Sequence, residues 1–168
     1  RENRVNEIMS IRSSNITVAG LRICHARDHG IHISPGNQGN IRNVVMHSIH
    51  VYDCGQQLIK VNSNGGKPLY WADEGTLEDS LIEFIDNSIM QAAGKHFYTG
   101  GLDVHGGSNW VIRRNTFRNI QREGKLMEHA VHMWSKCRGT IVEQNRFIDC
   151  YRAVGFGMKR EARGLARD

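Results

Sequence analysis

Apolar residues along this chain recur in short alternating runs, not at helical spacing. Five segments show it: NITVAGLRI from Asn15, NVVMHSIHV from Asn43, DSLIEFIDNSI from Asp79, NWVIRRNTF from Asn109 and GTIVEQNRF from Gly139. Aligned on Leu21, Ile49, Asn87, Asn115 and Asn145, they recur at intervals of 28, 38, 28 and 30 residues. Three residues before the anchor stand Val18, Met46, Phe84, Ile112 and Val142; two after it stand Ile23, Val51, Ile89, Phe117 and Phe147. Five after it come Ala26, Cys54, Ala92, Ile120 and Cys150, all small or apolar. A second short strand is predicted after each first one: Ile31-His32-Ile33, Ile59-Lys60-Val61, Leu102-Asp103-Val104, Val131-His132-Met133 and Val154-Gly155-Phe156. Each alternates apolar, other, apolar, the signature of a strand with one buried face.

Such a unit cannot bury its apolar face alone, but it can by stacking on its neighbours. The pattern therefore predicts an all-β parallel β-helix of about five coils across residues 1–158. Propeller blades need about four strands and 40 or more residues per unit, and leucine-rich repeats need a regular Leu spacing absent here. The longest interval has a predicted home in a Gly-rich polar surface loop at 63–78 (SNGGKPLYWADEGTLE). Asn87, Asn115 and Asn145 are expected to stack at one turn, each amide bonding a neighbouring coil. Residues 159–168 read as a basic tail or the truncated start of another coil, and the whole chain as an internal fragment or processed product.

Composition narrows the partners. The 168 residues suit one domain with one sizeable core. With 18 Gly and only 2 Pro, the turns must come from Gly and Asn. No apolar run approaches the roughly 18 residues of a membrane span. The formal net charge is +5, but much of the excess sits in Lys159, Arg160, Arg163 and Arg167. No helix-turn-helix, zinc-finger or RNA-binding pattern accompanies it, so no nucleic-acid partner is expected. A basic surface equally suits an anionic polysaccharide. Cys24, Cys54, Cys137 and Cys150 lack Cys-x-x-Cys spacing and are too few for a disulfide scaffold; they read as small buried hydrophobes.

Three stretches carry a family resemblance: GGLDVHGGSNWVIRRNTFRNI (100–120), EHAVHMW (128–134) and TIVEQNRFIDCYRAVGFGM (140–158). Together they resemble a bacterial family of right-handed parallel β-helix repeat proteins within the pectate-lyase-like superfamily. The resemblance covers about 15–158. It implies a right-handed single-stranded solenoid, a polysaccharide partner and a secreted or periplasmic address; separately, a monomer is expected. The superfamily includes lyases, hydrolases, epimerases and binding proteins. Pectate lyases carry Arg-x-Pro-x-x-Arg, which Pro35 and Pro68 do not fit. Polygalacturonases carry Asn-Thr-Asp, Asp-Asp, Gly-His-Gly and Arg-Ile-Lys, none of which occurs. Neither activity transfers residue by residue.

Stacking itself yields a candidate site. Middle residues of the second strand point outward. In coil order they are His32, Lys60, Asp103, His132 and Gly155, followed two positions on by Ser34, Asn62, His105, Trp134 and Gly157. Neighbouring coils bring such side chains within about 4.8 Å of one another. The expected catalytic groups are Lys60, Asp103, His105 and His132, with Trp134, Asn62 and His32 binding substrate. A uronate lyase neutralises a carboxylate, abstracts the C5 proton and protonates the leaving oxygen. Lys60 suits the first or second task, and His105 or His132 acid–base work. Asp103 would orient a histidine or help bind Ca²⁺, the one cofactor in view. Glycines 106, 107, 155 and 157 would leave room for a glycan. The bland alternative is a charge-complementary ladder on a structural or glycan-binding solenoid. Lys95, His96 and Tyr98 are placed to overhang the patch. Arg113 and Arg114 read as solvated, as does the acidic run Asp73, Glu74, Glu78 and Asp79, with a cation as its other reading. His25, His29, His47 and His50 show no metal spacing.

Overall fold

The computed structural model describes residues 5–86, 98–121, 129–134 and 136–157. Strand β1 (Glu7–Ile11) precedes five coils. Coil one holds β2 (Ile16–Ala19), β3 (Arg22–Cys24) and β4 (His29–Ile33). Coil two holds β5 (Ile41–Arg42), β6 (Val44–His47), β7 (His50–Tyr52) and β8 (Ile59–Val61). Coil three holds β9 (Ala72–Asp73), β10 (Thr76–Glu78), β11 (Leu81–Glu83) and β12 (Leu102–Val104). Coil four holds β13 (Val111–Arg113), β14 (Thr116–Arg118) and β15 (Val131–Met133); coil five holds β16 (Ile141–Glu143), β17 (Arg146–Ile148) and β18 (Val154–Phe156).

Every pairing between coils is parallel. The sheets run β1-β4-β8-β12-β15-β18, β2-β6-β10-β13-β16 and β3-β7-β11-β14-β17, with a short β5-β9 pair beside them. The protein is a parallel β-helix. In the first four coils the second and third sheets stack buried residues in register: Val18, Met46, Leu77 and Ile112 form one interior column, Ile23, Val51, Ile82 and Phe117 the other. The first sheet adds two per strand, such as Ile59 with Val61 and Leu102 with Val104. Trp110 fills the interior beside the second sheet and donates its indole N–H to the Ala72 carbonyl at 2.9 Å. Gly75 is required there, because a Cβ at that position would lie 2.4 Å from the ring.

The sequence alignment needs one correction. In coil three Ser80 stands at the anchor position, and Leu77 and Ile82 are the residues that pair in register with the two interior columns; Phe84 is buried in the core outside those columns. Asn87, Ile89 and Ala92 lie outside the described residues. Both phases keep two apolar residues five positions apart, so hydrophobicity alone does not choose between them. The charges do. In the observed phase Glu78 faces Arg113, with 2.7 Å between carboxylate and guanidinium, and Glu83 bonds His50 at 2.8 Å and Arg118 at 2.6 Å. The correction also shrinks the expected loop at 63–78, because Ala72–Asp73 and Thr76–Glu78 are strands. The acidic run within it is structural. Asp73 is buried and accepts the Ser108 N–H, while Glu78 and Asp79 pair with Arg113 and Arg114. All four cysteines are free thiols, and Cys54 is wholly buried.

Corners are made by left-handed residues that recur in register. One corner has Asn15, Asn43, Glu74, Asn109 and Gly139, with φ of 59, 56, 57, 57 and 62°. The next has Gly20, Ser48, Asp79, Arg114 and Gln144, with φ of 66, 52, 50, 56 and 54°. This conformation costs about 1–2 kcal/mol for an ordinary residue and less for Asn or Asp. Amide ladders offset it. Asn115 accepts the Ser80 N–H at 3.0 Å and donates to the Leu77 carbonyl at 2.8 Å, and Asn145 donates to the Ile112 carbonyl at 2.8 Å. Asn115→Ala is expected to lower unfolding free energy by about 1–3 kcal/mol by leaving buried turn groups unpaired. Phe117→Ala should cost about 3–5 kcal/mol through the cavity it leaves. Urea denaturation measures both; an Asn115→Ala loss of a few tenths would show that the ladder contributes nothing.

Candidate functional site

The first sheet carries the outward ladder in the expected register: Lys60 on β8 faces Asp103 on β12, which faces His132 on β15. The ladder continues past the strand ends, where the His105 N–H donates to the Val61 carbonyl and the Trp134 N–H to the Val104 carbonyl. Backbone pairing therefore fixes the separation of all five side chains. Tyr98, four residues ahead of β12, also reaches this face.

Tyr98, Lys60, Asp103 and His105 converge on one point. The Lys60 ammonium donates to Asp103 Oδ2 at 2.5 Å, to the Tyr98 hydroxyl oxygen at 3.1 Å and to His105 Nε2 at 2.9 Å. The Tyr98 hydroxyl lies 2.9 Å from Asp103 Oδ2 and 3.2 Å from His105 Nε2. His105 Nε2 also lies 3.3 Å from Asp103 Oδ2, so in one tautomer it accepts from the Lys60 ammonium and in the other it donates to the Asp103 carboxylate. Lys60 and Asp103 are buried, with side chains 6% and 1% exposed, whereas His105 is 35% exposed and Tyr98 is half-buried. The ion pair forms the floor; Tyr98 and His105 form the edge that a ligand can touch.

Two titrations are displaced. Burial alone would raise the Asp103 carboxyl, but the His105 hydrogen bond and the Lys60 charge outweigh it and hold it at about 2. His132 is pushed down to about 4, chiefly by burial and despite the Asp103 charge. It is wholly enclosed, 3.6 Å from Asp103 Oδ1, with its ring between His129 and Trp134. It is therefore neutral at neutral pH and beyond reach of a ligand, so acid–base contact falls to His105. Trp134 packs its ring on both His105 and His132, with centroids 4.7 Å away in each case.

The expected binding residues His32 and Asn62 form a separate group. His32 Nδ1 meets Glu7 Oε1 at 2.5 Å, and its Nε2 meets the Asn62 amide nitrogen at 3.1 Å. Glu7 escaped the sequence reading, although Met9-Ser10-Ile11 has the same alternation as the later strands and would have revealed β1. Lys95 and His96 lie outside the described residues. The glycines do not open a groove for a glycan. Gly106 lies under Trp71, Gly107 against Trp110 and Gly155 against His129; only Gly157 has no neighbour within 4 Å of a would-be Cβ. Calcium does not fit Asp103, whose Oδ2 already faces an ammonium, whereas the ion takes six to eight oxygens. Among the described residues no group of three His, Cys, Asp or Glu side chains is placed to hold a metal ion, and no helix is long and apolar enough to cross a membrane.

No protein-family model, curated protein or solved structure matches the chain.

The two displaced groups make acid stability a readout of this cluster. Folded His132 binds its proton less tightly than an unfolded histidine, about 4 against 6.5, so stability falls as pH drops through that interval. Asp103 contributes its full stabilisation above 3.8 and loses it as pH falls towards about 2. The expected profile declines in two stages. His132→Gln should shrink the upper stage, to which His29 and His129, also lowered by burial, contribute, and Asp103→Asn should shrink the lower. Urea midpoints across this pH range check it, and an unchanged upper stage in His132→Gln would refute the assignment.

Proposed function

We propose that the protein is a polysaccharide lyase acting on a uronate-containing glycan, with Tyr98 and His105 as the groups that move protons. One observation carries this reading: the Tyr98 hydroxyl and His105 Nε2 lie 3.2 Å apart at the accessible edge of a buried Lys60–Asp103 pair. A phenol beside an ammonium and a neutral imidazole has both a stabilising charge and a proton acceptor within reach.

The C5 proton of the uronate passes to the Tyr98 oxygen as the phenolic proton moves to His105 Nε2. The C5 electron pair forms the C4=C5 double bond, and the C4–O bond breaks with its pair on the glycosidic oxygen. That oxygen takes a proton from Tyr98, and His105 returns its own to the phenol. Atoms balance without water: one new unsaturated end and one new hydroxyl. Asp103 orients His105, Lys60 offsets negative charge on the Tyr98 oxygen, and His132 supports Asp103 from below. Lys60 is committed to this cluster, so substrate carboxylate needs another cation. The resemblance to β-helix repeat proteins of the pectate-lyase-like superfamily supports a carbohydrate partner.

A second reading has its own support. Lys60 and Asp103 are so enclosed that the cluster also serves as a rivet between coils two and three, as on a glycan-binding or structural solenoid. Ultraviolet absorbance from unsaturated uronate ends separates the two, with alginate, pectate and glycosaminoglycans as substrates. The lyase reading expects absorbance growth that falls by about 10²–10⁴-fold in Tyr98→Phe and in His105→Ala. New reducing ends without absorbance would indicate hydrolysis. Silence in both assays would leave the binding solenoid.

A further inference from the structure

The proposed reaction leaves one requirement unmet: a cation for the substrate carboxylate, since Lys60 is turned onto Asp103, Tyr98 and His105. One coil beyond His105 lies a pocket of ≈ 350 Å³ whose lining includes Trp134, Lys136, Arg138, Thr140, Phe156 and Gly157. Its volume falls at the small end of ligand sites, roughly 300–1,000 Å³. No acidic side chain lines it among the described residues, while two cations do. Two of its lining residues, Trp134 and Thr140, each carry a buried polar atom, Nε1 and Oγ1, without a hydrogen-bond partner among the described residues. Buried polar groups are normally satisfied, so each requires a partner.

The pocket wall is held in place. The Cys137 thiol bonds the Val104 carbonyl at 3.3 Å, the Arg138 N–H bonds the Gly107 carbonyl at 3.3 Å, and Arg138 accepts the Asn109 N–H at 2.8 Å. Lys136 lies over the Trp71 ring, 5.6 Å from its centroid. Trp134 is shared between the pocket and the cluster, since its ring also packs on His105. A ligand residue in the pocket is thus one coil, about 4.8 Å, from the proton-moving groups. An aromatic side chain and two cations suit a sugar ring bearing a carboxylate.

We propose that this pocket is a subsite for one carboxylated sugar residue of the glycan, with Lys136 and Arg138 as its charge partners and Trp134 as its stacking platform. The proposal rests on the lyase reading for its ligand class. Titration calorimetry tests it with trigalacturonate, trimannuronate and their carboxyl-reduced counterparts. Lys136→Asn and Arg138→Gln are combined in one variant; Asn is chosen because position 136 has φ of 70°, which Asn tolerates. The double variant should bind at least one acidic trisaccharide about tenfold or more weakly, which is about 1.4 kcal/mol. The carboxyl-reduced sugars should bind wild type and variant alike. Equal binding of acidic sugars by wild type and double variant overturns the subsite, as does wild-type binding that ignores carboxyl reduction or no binding of either acidic sugar. Charge-dependent binding without any turnover by wild type would uphold the subsite and remove the lyase chemistry.

Discussion

The structure depends on parallel pairing in register between successive coils. A single coil has three or four short strands and only a few inward residues, far too little to bury by itself. Stacked, Val18, Met46, Leu77 and Ile112 become a continuous interior column, and Ile23, Val51, Ile82 and Phe117 another. Side chains alternate faces along a strand, so a slip of one residue would exchange interior and surface for the whole strand. The corners obey the same constraint. Left-handed residues recur coil after coil at equivalent positions, and where they are Asn the side chain reaches to the next coil, as from Asn43 to Asn15 at 3.0 Å.

The functional face inherits its geometry from that register. Lys60, Asp103 and His132 are far apart in sequence, yet backbone pairing sets them side by side. Removing an ammonium and a carboxylate from water costs several kcal/mol per ion, and the short contact between them offsets this only with added hydrogen bonds. Tyr98 and His105 supply those bonds. The same contacts align the phenol and the imidazole. Structural and chemical roles are therefore joined in the floor of the cluster, whereas Tyr98 and His105 at its edge are the positions where chemistry separates from stability.

Charge complementarity decides what apolar pattern leaves open. Coil three offers two phases with equal hydrophobic merit, and the ion pairs of Glu78 with Arg113 and of Glu83 with Arg118 select one. Their partners come from a neighbouring coil 35 residues away. The glycines illustrate a related ambiguity. A residue without a Cβ marks a close approach, but only the neighbouring coils reveal that the approaching group is Trp71, Trp110 or His129.

Alternation of apolar residues, read against the intervals between repeats, determined the parallel β-helix, its five coils and the outward order of His32, Lys60, Asp103 and His132. Both follow from local periodicity, because strand alternation and coil stacking are the same rule applied twice. Tertiary structure alone decided the rest. Tyr98 joins the cluster from just ahead of β12, outside the repeated strands, and no period governs its position there. His132 is sealed rather than exposed because His129 and Trp134 close over it. Burial is a property of everything that surrounds a side chain, and a periodic pattern specifies only which way that side chain points.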